Sequence, residues 1–414
     1  MRHRNLYLLY VLLISILAPS GCIDDTSGYN NAVDGDSLDN NTDAIPWGIS
    51  VVSTDYLSTS ISILDIEQQQ LFREGIIHSG SSDPGLSVAL SGDIVLPSTP
   101  NPDNEIILID RYPNSVLTFI SPEDFSITGQ LSVATGFASN PQDLLWLSRN
   151  KAYVTRYETN ATPGKEEYDD GGDILIIDPA SRTIIGNILI PQIEGNILPR
   201  PTHLVYANNL VWVAIDQLNK DFSKAGNGRI IAIDPGTDII VHDIEIEQYK
   251  NCTGITYAKE LSKLVVSCSG LFYNALDSQL GESGIVSIDL SANELLIETI
   301  IKADDRPYGF EVEMFNASHI ICMHFGDLNL EINDSIVAID IKTGEESLIH
   351  EASTPFGMGG TLADSDNNTV YIGDADPQSP AIHLYTFENG EFVKQGKIVS
   401  SPKNGLPPRH IRFY

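Results

Sequence analysis

Basic residues are scarce: 24 Lys and Arg stand against 56 Asp and Glu in 414 residues, a formal net charge of −32. The first 21 residues hold two of those bases and no acid, so the remainder lies near −34. A surface that acidic repels phosphate backbones and anionic headgroups, which excludes nucleic-acid binding and electrostatic docking onto a lipid surface. A membrane-spanning run is missing as well, because the apolar stretch from Leu6 to Ala18 has 13 residues and a span needs about 20. Common catalytic signatures are absent. There is no GxSxG, Ser283 lying in Gly-Glu-Ser-Gly-Ile one residue short of it, and no CxxCH or HExxH. From Pro46 onward no stretch sustains a 3.6-residue apolar period, so long amphipathic helices are excluded too. What is present is ample core material, with 42% hydrophobic residues.

Residues 1–21 read as a signal peptide: Arg2 and Arg4, the short apolar run, then Ser20-Gly21 before Cys22. The ending resembles a bacterial lipoprotein signal, which implies lipidation of Cys22. Pro19 stands where that family usually has Leu, and Ile23 after the Cys would favour the outer membrane. Residues 22–45, with six Asp and few bulky apolar groups, cannot offset their ordering entropy and read as an acidic tether.

Residues 46–414 carry an internal repeat. Segments of one type end at Asp65, Asp178, Asp234, Asp289 and Asp340, with weaker copies ending at Ile120 and Thr386, so the count is seven. In the same phase Pro84, Pro141, Pro201, Pro307, Pro355 and Pro408 each open an apolar run, and Cys252 takes that place in the repeat without one. Each repeat reads as four antiparallel strands, a to d from the inside outward. The third is apolar at consecutive positions, which requires cover on both faces. Blades stacked around an axis supply it and hide most sheet edges. The fold class is therefore all-β, a seven-bladed β-propeller with four antiparallel strands per blade. The chain enters on a b strand and ends on an a-like Leu-Pro-Pro-Arg-His-Ile-Arg-Phe-Tyr, so a C-terminal strand is expected to complete the first blade. The run from Ala152 through Ile188 (AYVTRYETN, then GGDILIIDPASRTIIGNI) resembles the YVTN repeats of YncE-like bacterial seven-bladed propellers. That resemblance implies architecture and leaves activity open, since propellers host lactonases, dehydrogenases and binding proteins alike.

The aspartates closing the third strands precede turn sequences and read as turn acceptors. Ligand-binding candidates come from strand ends facing the channel. The position two after each opening proline gives Asp143, His203 and His410, with glycine at 254, 309 and 357. The ends of the b strands give Arg111, Arg156, Asp216, His324 and Asp374. Arg111 and Arg156, in matching Arg-Tyr dipeptides, read as a carboxylate clamp or as surface ion pairs with nearby acids such as Asp110, Glu158 or Asp170. Long loops overhang this mouth, and the acids of one (Glu166, Glu167, Asp169, Asp170) could hold calcium. No cofactor is predicted, a divalent metal such as calcium being the one the acids and imidazoles would accommodate. Folding the hairpin about Glu260-Leu261 sets Cys252 opposite about residue 269, close enough to Cys268 for a disulfide in an exported protein. Cys322 is left as a buried apolar residue.

The function expected is a monomeric, lipid-anchored binding module of the cell envelope, taking an envelope protein, a glycan or a small anionic molecule. It touches the membrane only through its anchor. The alternative is a metal-dependent hydrolase or lactonase acting at the channel mouth.

Overall fold

The computed structural model describes residues 48–414 except 273 and 293. The signal segment, Cys22 and the tether lie outside the described residues. Seven four-stranded antiparallel sheets form a closed ring, a seven-bladed β-propeller. Among the described residues helix is confined to Leu276–Gly281 and a single turn at Lys259–Leu261.

Blade one begins on its b strand, Ile49–Thr54, and its inner strand is the C-terminal Pro408–Phe413, paired Ile49 to Phe413 and Val51 to Ile411. The ring is latched as the two ends of the repeat pattern require. Close approach of backbones at this seam demands glycine: a Cβ on Gly359 would lie 2.0 Å from the Pro408 carbonyl oxygen. Gly254 is in the same position beside the Phe310 carbonyl, at 2.7 Å.

Alternation along each strand divides its side chains between two neighbours. Ile49 and Val51 pack toward blade seven, against Tyr371 and Ile382, while Val52 packs toward blade two with Ile106 and Leu108. Ile107 and Ile109 turn the other way, into blade three with Val154 and Leu175. Seven apolar clusters therefore lie between blades, one at each junction of the ring. Burying each such aliphatic side chain contributes about 1.5–3 kcal/mol. Outer strands such as Ile239–Ile246 are largely exposed, whereas second and third strands such as Leu210–Ile215 and Gly228–Asp234 are buried and read as near-continuous apolar runs.

The turn aspartates behave as expected. Asp65 accepts from the Gln68 N–H (2.8 Å), Asp234 from Gly236 (2.8 Å) and Asp340 from Lys342 and Thr343 (2.8 Å each).

Blade two departs from the repeat. Its inner strand is Ile94–Val95, ten residues beyond Pro84. The run that Pro84 opens instead crosses the blade's own outer strand, where Gln130 Oε1 accepts from the Ser87 and Val88 N–H groups at 2.8 Å. The segment after Val95 then enters the channel. Ser98 reaches blade three, donating its N–H and Oγ to the two Asp143 carboxylate oxygens at 2.8 and 2.7 Å.

Candidate functional site in the channel

In an antiparallel four-stranded blade, a begins and b ends on the same face of the ring. Height along the axis thus follows from sequence position, but distance from the axis depends on the strand. Of the a-strand candidates, His203 lines the channel cavity, His410 Nδ1 stands 4.0 Å from Glu311 Oε1 beside it, and Asp143 is buried behind the wall. His203, third residue of Pro201–Ala207 in blade four, lines a cavity of about 220 Å³ together with Ser98, Glu311, Glu313 and Arg412. Its Nδ1 is 2.9 Å from the Thr253 carbonyl oxygen. A carbonyl only accepts, so Nδ1 carries the proton and Nε2 is the lone-pair nitrogen. Asp143 is buried, and its carboxylate also accepts from Leu144 N–H (2.8 Å) and Leu204 N–H (3.0 Å). With Ser98 it makes four hydrogen bonds to its neighbours, which anchors the channel segment and occupies Asp143 fully.

Three charged residues of this cavity were not among the sequence candidates. On the inner strand of blade six, Tyr308–Met314, the side chains of Glu311 and Glu313 follow Gly309 at intervals of two; on the C-terminal strand Arg412 follows His410 in the same way. Continuing the period of two along each inner strand would have found all three. Arg412 Nη2 is 2.8 Å from Glu311 Oε2 and its Nη1 is 3.0 Å from Glu313 Oε1. Burial would raise the Glu311 carboxyl, but Arg412, then His410 and His203, outweigh it and hold the group at about 2. Glu313 moves the opposite way: burial raises it, Arg412 opposes, and the Glu311 charge adds to the rise. Burial pushes the His410 imidazole down to about 3 against the pull of Glu311, and Arg111, Arg412 and Arg409 push it further.

Of the b-strand candidates, Arg156, Asp216, His324 and Asp374 are buried between strands and blades, whereas Arg111 is partly exposed and its charge acts on His410 and Glu311. Arg156 is fully enclosed, its Nε and Nη2 on the two oxygens of buried Asp173 at 2.8 and 2.7 Å. Arg111 pairs with Asp93 and donates to Gln142 Oε1 (3.2 Å). The partners are thus Asp93 and Asp173 rather than Asp110, Glu158 or Asp170, and a two-arginine clamp at the mouth is not formed because Arg156 has no exposed surface. Asp216 is buried and accepts from Tyr157 Oη of blade three at 2.7 Å. Its desolvation, opposed by Tyr157 and Arg200, raises the carboxyl to about 6. His324 places its two ring nitrogens 3.1 Å from the Arg306 carbonyl and 2.9 Å from Glu346 Oε2. Asp374 meets His350 of blade six and His383 of its own blade.

In the long loop of blade three, Asp169 accepts from the Gly164, Lys165 and Glu166 N–H groups at 2.8 to 3.2 Å, so it folds its own loop. Cys252 and Cys268 are opposite one another in the blade-five hairpin and joined by a disulfide, and Cys322 is free and buried.

No family model and no curated protein matches the sequence. Solved structures match the fold. A candidate 6-phosphogluconolactonase from Bacteroides fragilis superposes with a TM-score of 0.58 at 9% identity, covering 90% of this chain and 99% of the other. A periplasmic gluconolactonase from Pseudomonas aeruginosa gives 0.56 at 9%, over 88% and 98%. A hypothetical selenium-binding protein from Sulfolobus tokodaii gives 0.60 at 10%, over 90% and 94%. At such identities the likeness is one of fold.

Proposed function

We propose that this chain is an exported propeller, held at the cell envelope by a lipid on Cys22, that binds a small neutral polyhydroxy compound of the sugar or sugar-lactone class in its channel. The observation that carries the reading is the grouping of His203, Glu311, Glu313 and Arg412 around one cavity. The sevenfold scaffold does not require such a cluster, and it offers hydrogen-bond donors and acceptors in an open-mouthed cavity. Because the single guanidinium is answered by two carboxylates, the cavity has no excess positive charge. That favours a neutral polyol over the small anion expected from the sequence, and an unphosphorylated ligand over a phosphate ester. A thermal-shift screen tests it, using D-glucose, myo-inositol and D-glucono-1,5-lactone against 6-phosphogluconate. A rise in Tm with neutral compounds only is expected. A response to the phosphate ester alone contradicts the assignment.

A second reading, lactone hydrolysis, is favoured by the fixed tautomer of His203. Its Nε2 lone pair would take a proton from a water attacking the lactone carbonyl, and the same Nε2–H would return that proton to the departing ring oxygen, leaving the hydroxy acid and the neutral imidazole. The lactonase names of two fold neighbours agree with it. Base consumption in a pH-stat with D-glucono-1,5-lactone, above the spontaneous rate and lost in His203→Ala, distinguishes hydrolysis from binding.

A further inference from the structure

Away from the channel, His350, Asp374 and His383 bring one ligand atom each to within 4.8 Å of one another. His350 lies on the outer strand of blade six, Glu346–Glu351; Asp374 closes the b strand of blade seven, Thr369–Asp374; and His383 is third in the next strand, Ala381–Glu388. Both Nε2 atoms face the same oxygen, Asp374 Oδ2, at 3.0 Å from His350 and 3.6 Å from His383.

Hydrogen bonding accounts for only part of this arrangement. Tyr385 Oη is 2.9 Å from His350 Nδ1, so His350 links a phenol to a carboxylate. The other imidazole is left over. The His383 side chain retains only 13% exposure, yet its Nδ1 has no hydrogen-bond partner and its Nε2 meets the carboxylate only at 3.6 Å, longer than an ordinary hydrogen bond. A largely enclosed imidazole with one nitrogen unsatisfied and the other on a long contact costs stability unless something else meets it. The other b-strand ends show the contrast, since Arg156, Asp216 and His324 each find closely hydrogen-bonded partners within the protein.

We propose that these three side chains bind one divalent transition-metal ion of the zinc class, with a water as fourth ligand. Two imidazoles and a carboxylate are a donor set that such ions take. Bonds of 2.0–2.1 Å in a tetrahedron set ligand atoms about 3.4 Å apart, and the two measured separations bracket that value. With Nε2 on the metal, His350 Nδ1–H donates to Tyr385 Oη, which fixes the ring as outer partners of metal-bound histidines do. The ion joins blades six and seven at the face where the 375–380 loop begins, and the partly exposed His383 edge is the path of entry.

The test uses tag-free, chelator-treated protein titrated with Zn²⁺ by calorimetry and with Co²⁺ by visible absorption. One equivalent of Zn²⁺ and the intense d–d bands of tetrahedral cobalt are expected, with affinity at least tenfold weaker in both His383→Ala and Asp374→Asn. Absence of binding at 100 μM metal, roughly the affinity of adventitious surface sites, or equal affinity in the parent and His383→Ala, overturns the proposal. The cobalt spectrum needs no variant, so an octahedral spectrum in the parent overturns it even if both substitutions unfold the chain.

Discussion

Arg156 Nη2 lies 2.7 Å from Asp173 Oδ2, and neither side chain has any exposure to solvent. The same guanidinium donates to the Tyr168 carbonyl at 2.6 Å and to Thr135 Oγ1, so one side chain ties the b and c strands of blade three to two loops. Removing one member of a buried pair leaves an uncompensated charge, at a cost on the order of 3–5 kcal/mol. Arg156→Ala is expected to lose about that much in urea unfolding. Arg111→Ala breaks a partly exposed pair and should cost about 1 kcal/mol. Equal losses in the two variants would contradict this difference in burial.

Asp216 gives stability a pH dependence of unusual sign. Its carboxyl is raised in the folded chain to about 6 from 3.8, so the folded state holds its proton more tightly. Its contribution is full below about pH 4 and is lost as pH rises through 6. Asp216→Asn should therefore gain stability relative to the parent between pH 4 and 7, by up to about 3 kcal/mol. Urea midpoints of both proteins across that range check it, and parallel profiles would show that Asp216 does not carry the effect.

The disulfide closes a 16-residue separation within blade five, worth about 3 kcal/mol through the unfolded state. Cys252→Ser with Cys268→Ser should lower stability by roughly that amount. In the parent, alkylation after unfolding without reductant should label Cys322 and neither hairpin cysteine; labelling of all three would refute the bridge.

Loss of the latch should be severe. Deleting residues 406–414 uncovers the edge of Ile49–Thr54 and removes Ile411 and Tyr414 from two inter-blade clusters. An uncovered strand edge is a template for association. A lower Tm and concentration-dependent oligomers in size-exclusion chromatography are expected, and an unchanged monomeric domain would mean the strand is dispensable.

Architecture was legible in the sequence because seven copies of one strand pattern, and the c strands' unbroken apolar runs, report a ring of stacked sheets directly. Blade two hid its inner strand, since Pro84 opens a run that packs on Gln130 instead of the axis. The site was half legible. Sequence position gives height along the axis, which picks out His203 on the cavity wall, His410 beside Glu311 and Asp143 buried behind them. It does not give radius, so Arg156, Asp216, His324 and Asp374 were grouped with them although they lie between blades. Glu311, Glu313 and Arg412 lie beyond the first channel position of their inner strands, where the strand-opening proline marks only the first.

The most direct test of the channel site is calorimetric titration of D-glucono-1,5-lactone at pH 6 into the parent, His203→Ala and Glu311→Gln. Glu311 is ionised at that pH, its carboxyl lying at about 2, so the glutamine variant removes a charge that is present in the parent. A single site in the parent, weakened at least tenfold in both variants and unchanged in Lys263→Ala, which breaks only the exposed pair with Glu298, is the predicted result. Binding that survives both channel substitutions, or that is lost with Lys263→Ala instead, would contradict the account.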